Sequence, residues 1–171
     1  MKYGDVKLIT LNSEKNLQVQ IGNVVFLDSY QFLSTSLDAL VASLAKSGKE
    51  NFRHTTKFVG DQDYLFQKVF FCYNYMTDRS MFGDTVLSPK DEFYNYLTDE
   101  PISYEDYARA QKIWSDFDMK NLCQYHDFYL TTDVVLLADV VQSFRETMLR
   151  GHGLDCLHFP SLPSMTLQRW L

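Results

Sequence analysis

The sequence predicts an α/β fold of the α+β kind, in which a small antiparallel sheet precedes a helical region. Two early segments, Val6–Leu11 and Leu17–Ile21, alternate apolar and polar residues as half-buried strands do. A later segment, 124–150, repeats apolar residues at helical spacing. With 171 residues, 46% of them hydrophobic, the chain can bury a core. We expect an N-terminal β-hairpin, one further strand and four or more helices, the longest at about 122–150.

The first predicted elements lie within residues 1–47. Residues 12–16 are turn formers, so the first two strands are expected to form the hairpin, and Val24–Leu27 reads as a short buried strand. Asp28 follows that strand, where an aspartate commonly bonds the local backbone. Ser36 is a candidate N-cap for a helix from Leu37 to about Lys46.

Residues 48–87 are expected to form a loop followed by an aromatic segment. The polar stretch from Gly48 to Gln62 reads as a mobile loop, and it is the one locally basic part of the chain. A solvated loop explains this composition most simply, and contact with nucleic-acid phosphates is the alternative. The weak candidates for phosphate contacts are Lys46, Lys49, Arg53, His54 and Lys57. The aromatic residues of 64–75 could stack bases, but a core segment beneath a loop needs fewer assumptions.

Residues 88–150 read as the helical part. Ser88 with Pro89 predicts a helix to about Leu97, and Ser103 caps a second one from Tyr104 to about Phe117.

Asn121 caps the long helix, which the glycines at 151 and 153 should end. Its apolar arc is expected to be the buried side, with Asp139 on the solvent side. The residues of that arc are Leu130, Val134, Leu137, Val141, Phe144 and Met148.

One carboxylate on this helix does not follow the pattern. Asp133 projects roughly 60° from the centre of the arc, and Tyr129 lies one turn earlier on the same flank. A carboxylate that faces the interior must be hydrogen-bonded, paired with a cation or bound to a metal. Periodicity leaves two interpretations open: a structural aspartate satisfied by a nearby amide or arginine, or a member of a functional site.

The residues Tyr129-Leu-Thr-Thr-Asp133, followed by VVLLADVV, resemble the third exonuclease motif, Tyr-x-x-x-Asp, of family B DNA polymerases. Within that family, the sequence most resembles the protein-primed enzymes of viruses, organelles and self-synthesising DNA transposons. Three stretches resemble those enzymes in the same order: NSEKNLQVQIGNVVFLDSYQFLSTSLDALVASL, SPKDEFYNYLTDEPISYEDYARAQKIW and YHDFYLTTDVVLLADVV. At Lys68–Tyr73 the relatives read Lys-Gly-Val-Tyr-Pro-Tyr, so this chain departs from them at Val69 and Cys72.

The resemblance implies a partial ribonuclease H-like fold and a 3′–5′ proofreading exonuclease whose parent enzyme replicates DNA. Such exonucleases hydrolyse the 3′-terminal phosphodiester of single-stranded DNA with two cations, Mg²⁺ or Mn²⁺. Asp133 would ligate one metal, and the Tyr129 hydroxyl would orient the attacking water. The chain has no Asp-x-Glu and no Asp-Thr-Asp sequence. It is therefore expected to be one partial exonuclease domain, 1–171, with 151–171 leading toward a polymerase domain, and to be inactive and without a stably bound metal by itself.

Composition gives further expectations. The net charge is −6, so bulk electrostatics do not favour nucleic acid, and any DNA contact needs a local patch or bound cations. Three widely spaced cysteines indicate reduced thiols, and the sequence has neither a secretory leader nor a long apolar run. We expect an intracellular protein of the nucleus or cytoplasm with no membrane partner.

The alternative is a non-enzymatic interaction module from a decayed or domesticated mobile element. The absent motifs and the acidic charge favour it. An unpaired sheet edge would also promote self-association.

Overall fold

A computed structural model describes residues 6–12, 16–96 and 99–170, and shows a mixed α/β fold. Within these residues it contains three antiparallel strands and five α-helices. The strands are β1 (Val6–Thr10), β2 (Asn16–Ile21) and β3 (Val24–Leu27), and the helices are α1 (Leu37–Lys46), α2 (Arg53–Phe58), α3 (Tyr104–Asp116), α4 (Leu122–His152) and α5 (Leu162–Trp170). No described helix combines the length and the hydrophobicity that crossing a membrane requires.

The chain divides into two compact units. The sheet unit comprises the residues up to Leu44 together with those from Val140 onward, and the helical unit comprises Ala45–Asp139. In the sheet unit, Val41, Leu44, Val140, Cys156 and Met165 are buried. Arg145 there donates from Nε to both carboxylate oxygens of Asp155, at 2.9 and 3.0 Å.

The three strands pair in the order β1-β2-β3, with β1 and β3 at the edges, and the predicted hairpin of the first two strands is confirmed. The prediction that Val24–Leu27 is a buried strand is wrong, because Val24, Val25 and Phe26 are 45–56% exposed. Residues 13–15 of the predicted hairpin turn lie outside the described residues. In the register, Val6 faces Ile21, Leu8 faces Val19, and Val19 in turn faces Phe26. Since successive residues alternate between faces, the six residues paired in this register on one side of the sheet are all apolar. Its residues are Val6, Leu8, Val19, Ile21, Val24 and Phe26, and this set is called the apolar sheet face below.

Several local predictions around the sheet are confirmed. The Asp28 carboxylate accepts the Tyr30 amide at 3.0 Å and thus bonds the local backbone. Ser36 Oγ accepts the Ala39 amide at 3.3 Å, which caps α1. Gly22 has φ +59°, a left-handed conformation that glycine adopts readily, in the two-residue connection between β2 and β3.

The prediction of a mobile loop over Gly48–Gln62 is wrong. The stretch contains the 3₁₀ turn Lys49–Asn51 and helix α2. Phe52 and Thr55 are fully buried, and the Phe52 ring stacks on Phe66 with centroids 4.8 Å apart. Phe52 and Thr55 are the buried residues that hold this otherwise polar segment in place. Two buried positions are too few to give the periodic hydrophobic pattern by which a helix is predicted.

The prediction of a helix from Ser88 to about Leu97 is also wrong, because the described residues 88–96 contain only a 3₁₀ turn over Lys90–Phe93. Leu97, where that helix was expected to end, lies outside the described residues. The chain then reverses, and Asn95 and Glu100 exchange backbone hydrogen bonds of 2.9 and 3.3 Å. A helix through this region could not make that pairing.

Both caps of the later helices are confirmed. Ser103 Oγ accepts the Asp106 amide at 3.0 Å at the start of α3, and Asn121 Oδ1 accepts the Gln124 amide at 3.0 Å at the start of α4. Helix α4 ends at His152, and Gly153 follows with φ +69°.

The buried face of α4 differs from the predicted arc. Leu130 and Val134 are 46% and 67% exposed, so the predicted arc partly faces solvent. The inward positions, at alternating steps of three and four, are Leu122, Tyr125, Tyr129, Thr132, Leu136 and Asp139. Polar and aromatic residues occupy these inward positions because partners within the helical unit form hydrogen bonds with their polar atoms. A helical-wheel projection ranks residues by hydrophobicity alone and therefore cannot predict such positions.

Asp139 is the clearest correction, because it is 1% exposed rather than facing solvent. Its carboxylate accepts the amides of His54 at 2.7 Å and Thr55 at 2.9 Å, and the Thr55 hydroxyl at 2.8 Å. The first amides of a helix lack intrahelical partners, so Asp139 supplies from α4 the cap that α2 lacks in its own sequence.

Replacing Asp139 by asparagine should destabilise the chain by about 2–4 kcal/mol, because an amide nitrogen would then face buried donors. Urea denaturation followed by circular dichroism measures this change. Asp61→Asn is the matched control, since Asp61 is exposed on the same unit. Equal stabilities of the two variants would contradict this role for Asp139.

Candidate functional site

Tyr129 and Asp133 lie one turn apart on α4, within the helical unit. Tyr129 is 6% exposed, and its ring stacks on Phe71 with centroids 5.6 Å apart. Phe71 is itself buried in the core of that unit, so the phenol ring has a fixed position. The hydroxyl at the end of the ring is thereby aimed at its polar neighbours.

The hydroxyl of Tyr129 has two polar neighbours. Tyr73 donates its hydroxyl to that of Tyr129 at 2.5 Å, and the Asp133 carboxylate interacts with the Tyr129 phenol from the next turn of α4. Burial, followed by the hydrogen bonds with Tyr73 and Asp133, raises the pKa of Tyr129 far above its ordinary value. Tyr129 therefore stays protonated beside the carboxylate.

Asp133 keeps one oxygen without a partner. Its Oδ1 is buried and has no hydrogen-bond partner among the residues that the structure describes. Burial raises the pKa of Asp133, whereas the hydrogen bond from Tyr129 and the positive charge of Lys68 act in the opposite direction. A buried carboxylate oxygen without a hydrogen bond lowers the free energy of unfolding, so Asp133 destabilises the folded chain.

Two side chains fix the segment that faces Tyr129. Arg109 of α3 donates to the Lys68 carbonyl at 2.9 Å, and the fully buried Tyr125 donates its hydroxyl to the Phe70 carbonyl at 2.8 Å. Val69 and Cys72 of this segment are 1% and 0% exposed. Both side chains belong to the core of the helical unit.

A cavity of about 380 Å³ opens beside Tyr129. Its lining combines Lys68 with the aromatic rings of Phe70, Tyr73, Tyr94 and Tyr96. Tyr73 and Tyr96 are 60% and 72% exposed at its rim. The cavity thus joins the phenol of the Tyr-x-x-x-Asp motif to an aromatic surface.

The five basic residues proposed for phosphate contact lie on α1, the 3₁₀ turn and α2. Lys49 pairs with Asp63, and Lys57 lies over the Phe58 ring at 5.0 Å. His54 is half-buried, and its amide is bound by Asp139. Between residues 46 and 63, four lysine and arginine charges face three carboxylates, so the local excess is one positive charge. Such a small excess favours only weak attraction for phosphates.

The described residues do not make up a two-cation site. A divalent cation such as Mg²⁺ takes about six oxygen ligands, including carboxylates. No group of three or more His, Cys, Asp or Glu side chains that could hold an ion occurs in the described part of the chain. The orphan oxygen of Asp133 suits one ligand position, and further acids would have to come from elsewhere.

Comparison with protein-family models, with curated proteins and with solved structures finds no match for this chain. The functional interpretation therefore rests on the residues and their geometry.

Two residues of the site escaped the sequence interpretation. Tyr73 is 56 positions from Tyr129, and Lys68 acts on Asp133 through space. No spacing pattern links residues so far apart in the sequence. The aromatic density around Tyr73 was the available signal, and it indicates a core segment equally well.

The raised pKa of Asp133 predicts an unusual pH dependence. Because the folded chain holds this proton more tightly than the unfolded chain, stability falls as pH rises from 3.8 through the folded pKa. Asp133→Asn should therefore be more stable than the wild type at pH 7, and the difference should vanish as pH approaches 3.8.

Urea titrations at several pH values measure this effect. Asp127→Asn is the control, since the Asp127 side chain is 71% exposed on the same helix. A pH-independent difference for Asp133→Asn would refute the assignment.

Proposed function

We propose that this chain is part of the 3′–5′ proofreading exonuclease domain of a family B DNA polymerase, whose parent role is DNA replication. The observation that carries the proposal is the buried, unpartnered oxygen of Asp133 beside the Tyr129 phenol, in the segment that resembles the third exonuclease motif. A structural aspartate would have both oxygens satisfied, as Asp139 has on the same helix.

The three strands and the helices after them suit a partial ribonuclease H-like fold. In the complete enzyme, Asp133 would serve as one ligand of the Mg²⁺ or Mn²⁺ ions. The Tyr129 hydroxyl, kept protonated by its surroundings, would orient the attacking water at the 3′ end of single-stranded DNA. Because the isolated chain supplies one such acid, it does not cleave DNA by itself.

The decisive test uses a longer protein, expressed with an N-terminal extension that includes an Asp-x-Glu motif. This protein should shorten 5′-labelled single-stranded DNA from its 3′ end in Mg²⁺, while the 171-residue chain should not. Asp133→Ala should slow the reaction at least about 100-fold, because the loss of a metal ligand outweighs the loss of an outer partner. Asp127→Ala should leave the rate unchanged.

If the 171-residue chain degraded DNA and this activity depended on Asp133, the conclusion that it lacks the other metal ligands would be wrong. An extended protein insensitive to Asp133→Ala would overturn the proposed function.

A second candidate is the non-enzymatic interaction module, and the apolar sheet face favours it. Val6, Leu8, Val24 and Phe26 are each 55–56% exposed, and the face carries no charge. A contiguous exposed apolar patch often marks an interaction site. The partner that fits is a second copy of the same face, since apposing two uncharged surfaces leaves no charge unpaired. The face offers six residues per partner, fewer than the roughly 20–30 of a standard interface, so the association is weak.

Sedimentation velocity over a range of concentrations tests this self-association. Phe26→Lys should produce a monomer, because it places a charge within the interface. Val25→Lys is the matched control, because Val25 is 45% exposed on the opposite side of the same strand. A wild type that remains monomeric at every concentration, or equal effects of both variants, would exclude pairing through this face.

A further inference from the structure

The cavity beside Tyr129 has walls that the exonuclease motif does not explain. Two of them, Tyr94 and Tyr96, come from the segment that reverses direction before Glu100. Their rings meet edge to face, with centroids 5.0 Å apart. Tyr96 is 72% exposed, and the structure records no hydrogen bond of its hydroxyl among the described residues. An exposed aromatic ring at a cavity rim is suited to stacking on a ligand.

This wall is held in place before any ligand arrives. Asn74 donates its side-chain amide to the Tyr94 carbonyl at 2.6 Å, and the Tyr94 hydroxyl donates to Asp99 at 2.6 Å. Phe93, next in sequence, is 5% exposed and packs edge to face on Tyr107 with centroids 5.6 Å apart. Preorganised rings lose little conformational entropy on binding.

The chemistry of the lining selects the class of ligand. Among the described residues that line the cavity, Lys68 is the one charged side chain, and no carboxylate is present. Aromatic faces stack on nucleobases of any sequence, and a nearby lysine attracts phosphate. The volume of about 380 Å³ is near the lower limit for ligand pockets, which suits one nucleotide rather than a run of several.

We infer that Tyr96 and Tyr94 form a stacking wall for the unpaired terminal base of single-stranded DNA, with Lys68 facing its phosphate. The inference rests on the proposed exonuclease function, because Tyr129 lies in the same cavity lining. A base stacked there brings the end of the strand to the Tyr129 phenol. A duplex end cannot bind in this way, since its terminal bases remain paired.

Fluorescence anisotropy of a 5′-labelled single-stranded oligonucleotide, in EDTA and low salt, tests this wall. Tyr96→Ala should raise Kd about tenfold, the usual scale for the loss of one stacking contact. Tyr96→Phe keeps the ring and should bind as the wild type does. Tyr104→Ala is the matched control, because Tyr104 is 82% exposed outside the cavity.

Competition identifies which part of the nucleotide is recognised. Millimolar dAMP should displace the oligonucleotide, whereas inorganic phosphate at equal ionic strength and a blunt duplex should displace little. If inorganic phosphate displaced the oligonucleotide as well as dAMP does, the cavity would bind the phosphate and not the base. That result would overturn the inference.

The outcomes separate this inference from the proposed function. Binding that survives Tyr96→Ala, or no binding of the oligonucleotide by the wild type, refutes the stacking wall. Neither result bears on cleavage by the extended protein, which depends on Asp133. Failure of the exonuclease proposal instead appears as cleavage that is absent or insensitive to Asp133→Ala.

Discussion

The helical unit depends on one constraint: α4 buries polar groups along its inward side, and each of them needs a partner. Tyr125 meets this requirement through the Phe70 carbonyl, and Thr132 through the Phe128 carbonyl of its own helix. Asp139 meets it through two amides and a hydroxyl near the start of α2. The bonds of Tyr125 and Asp139 join segments far apart in the sequence, so satisfying these two residues also fixes the chain around α4. Asp133 alone on this side keeps a buried oxygen unsatisfied.

Under the proposed function, this exception distinguishes a structural aspartate from a functional one on the same helix. Asp139 and Asp133 are six residues apart and chemically identical, but the first is enclosed by donors and the second is not. A chain selected for stability alone would complete the bonds of Asp133 or replace it. Retaining an incompletely bonded acid beside a protonated phenol is instead typical of a site that awaits a ligand.

Local signals in the sequence predicted the strands, the caps of Ser36, Ser103 and Asn121, and the extent of α4. These features depend on neighbours within a few positions, where spacing and residue type carry the information. The inward stripe of α4 could not be read in this way, because hydrophobicity ranks Val134 above Asp139 although the structure exposes the valine and buries the acid. The Tyr73–Tyr129 contact and the buried Phe52 likewise arise from tertiary packing, which no periodic pattern encodes.

The sheet carries a further consequence for how the gene tolerates change. Phe26 and Val25 are adjacent in the sequence but project to opposite sides, and Gly22 and Asn23 alone connect the two paired strands. An added codon within β2, where apolar residues alternate with glutamines, would reverse the orientation of every side chain after it in that strand and place glutamines on the apolar sheet face. An addition of two codons would preserve the parity. Length variation in this strand is therefore expected in even steps.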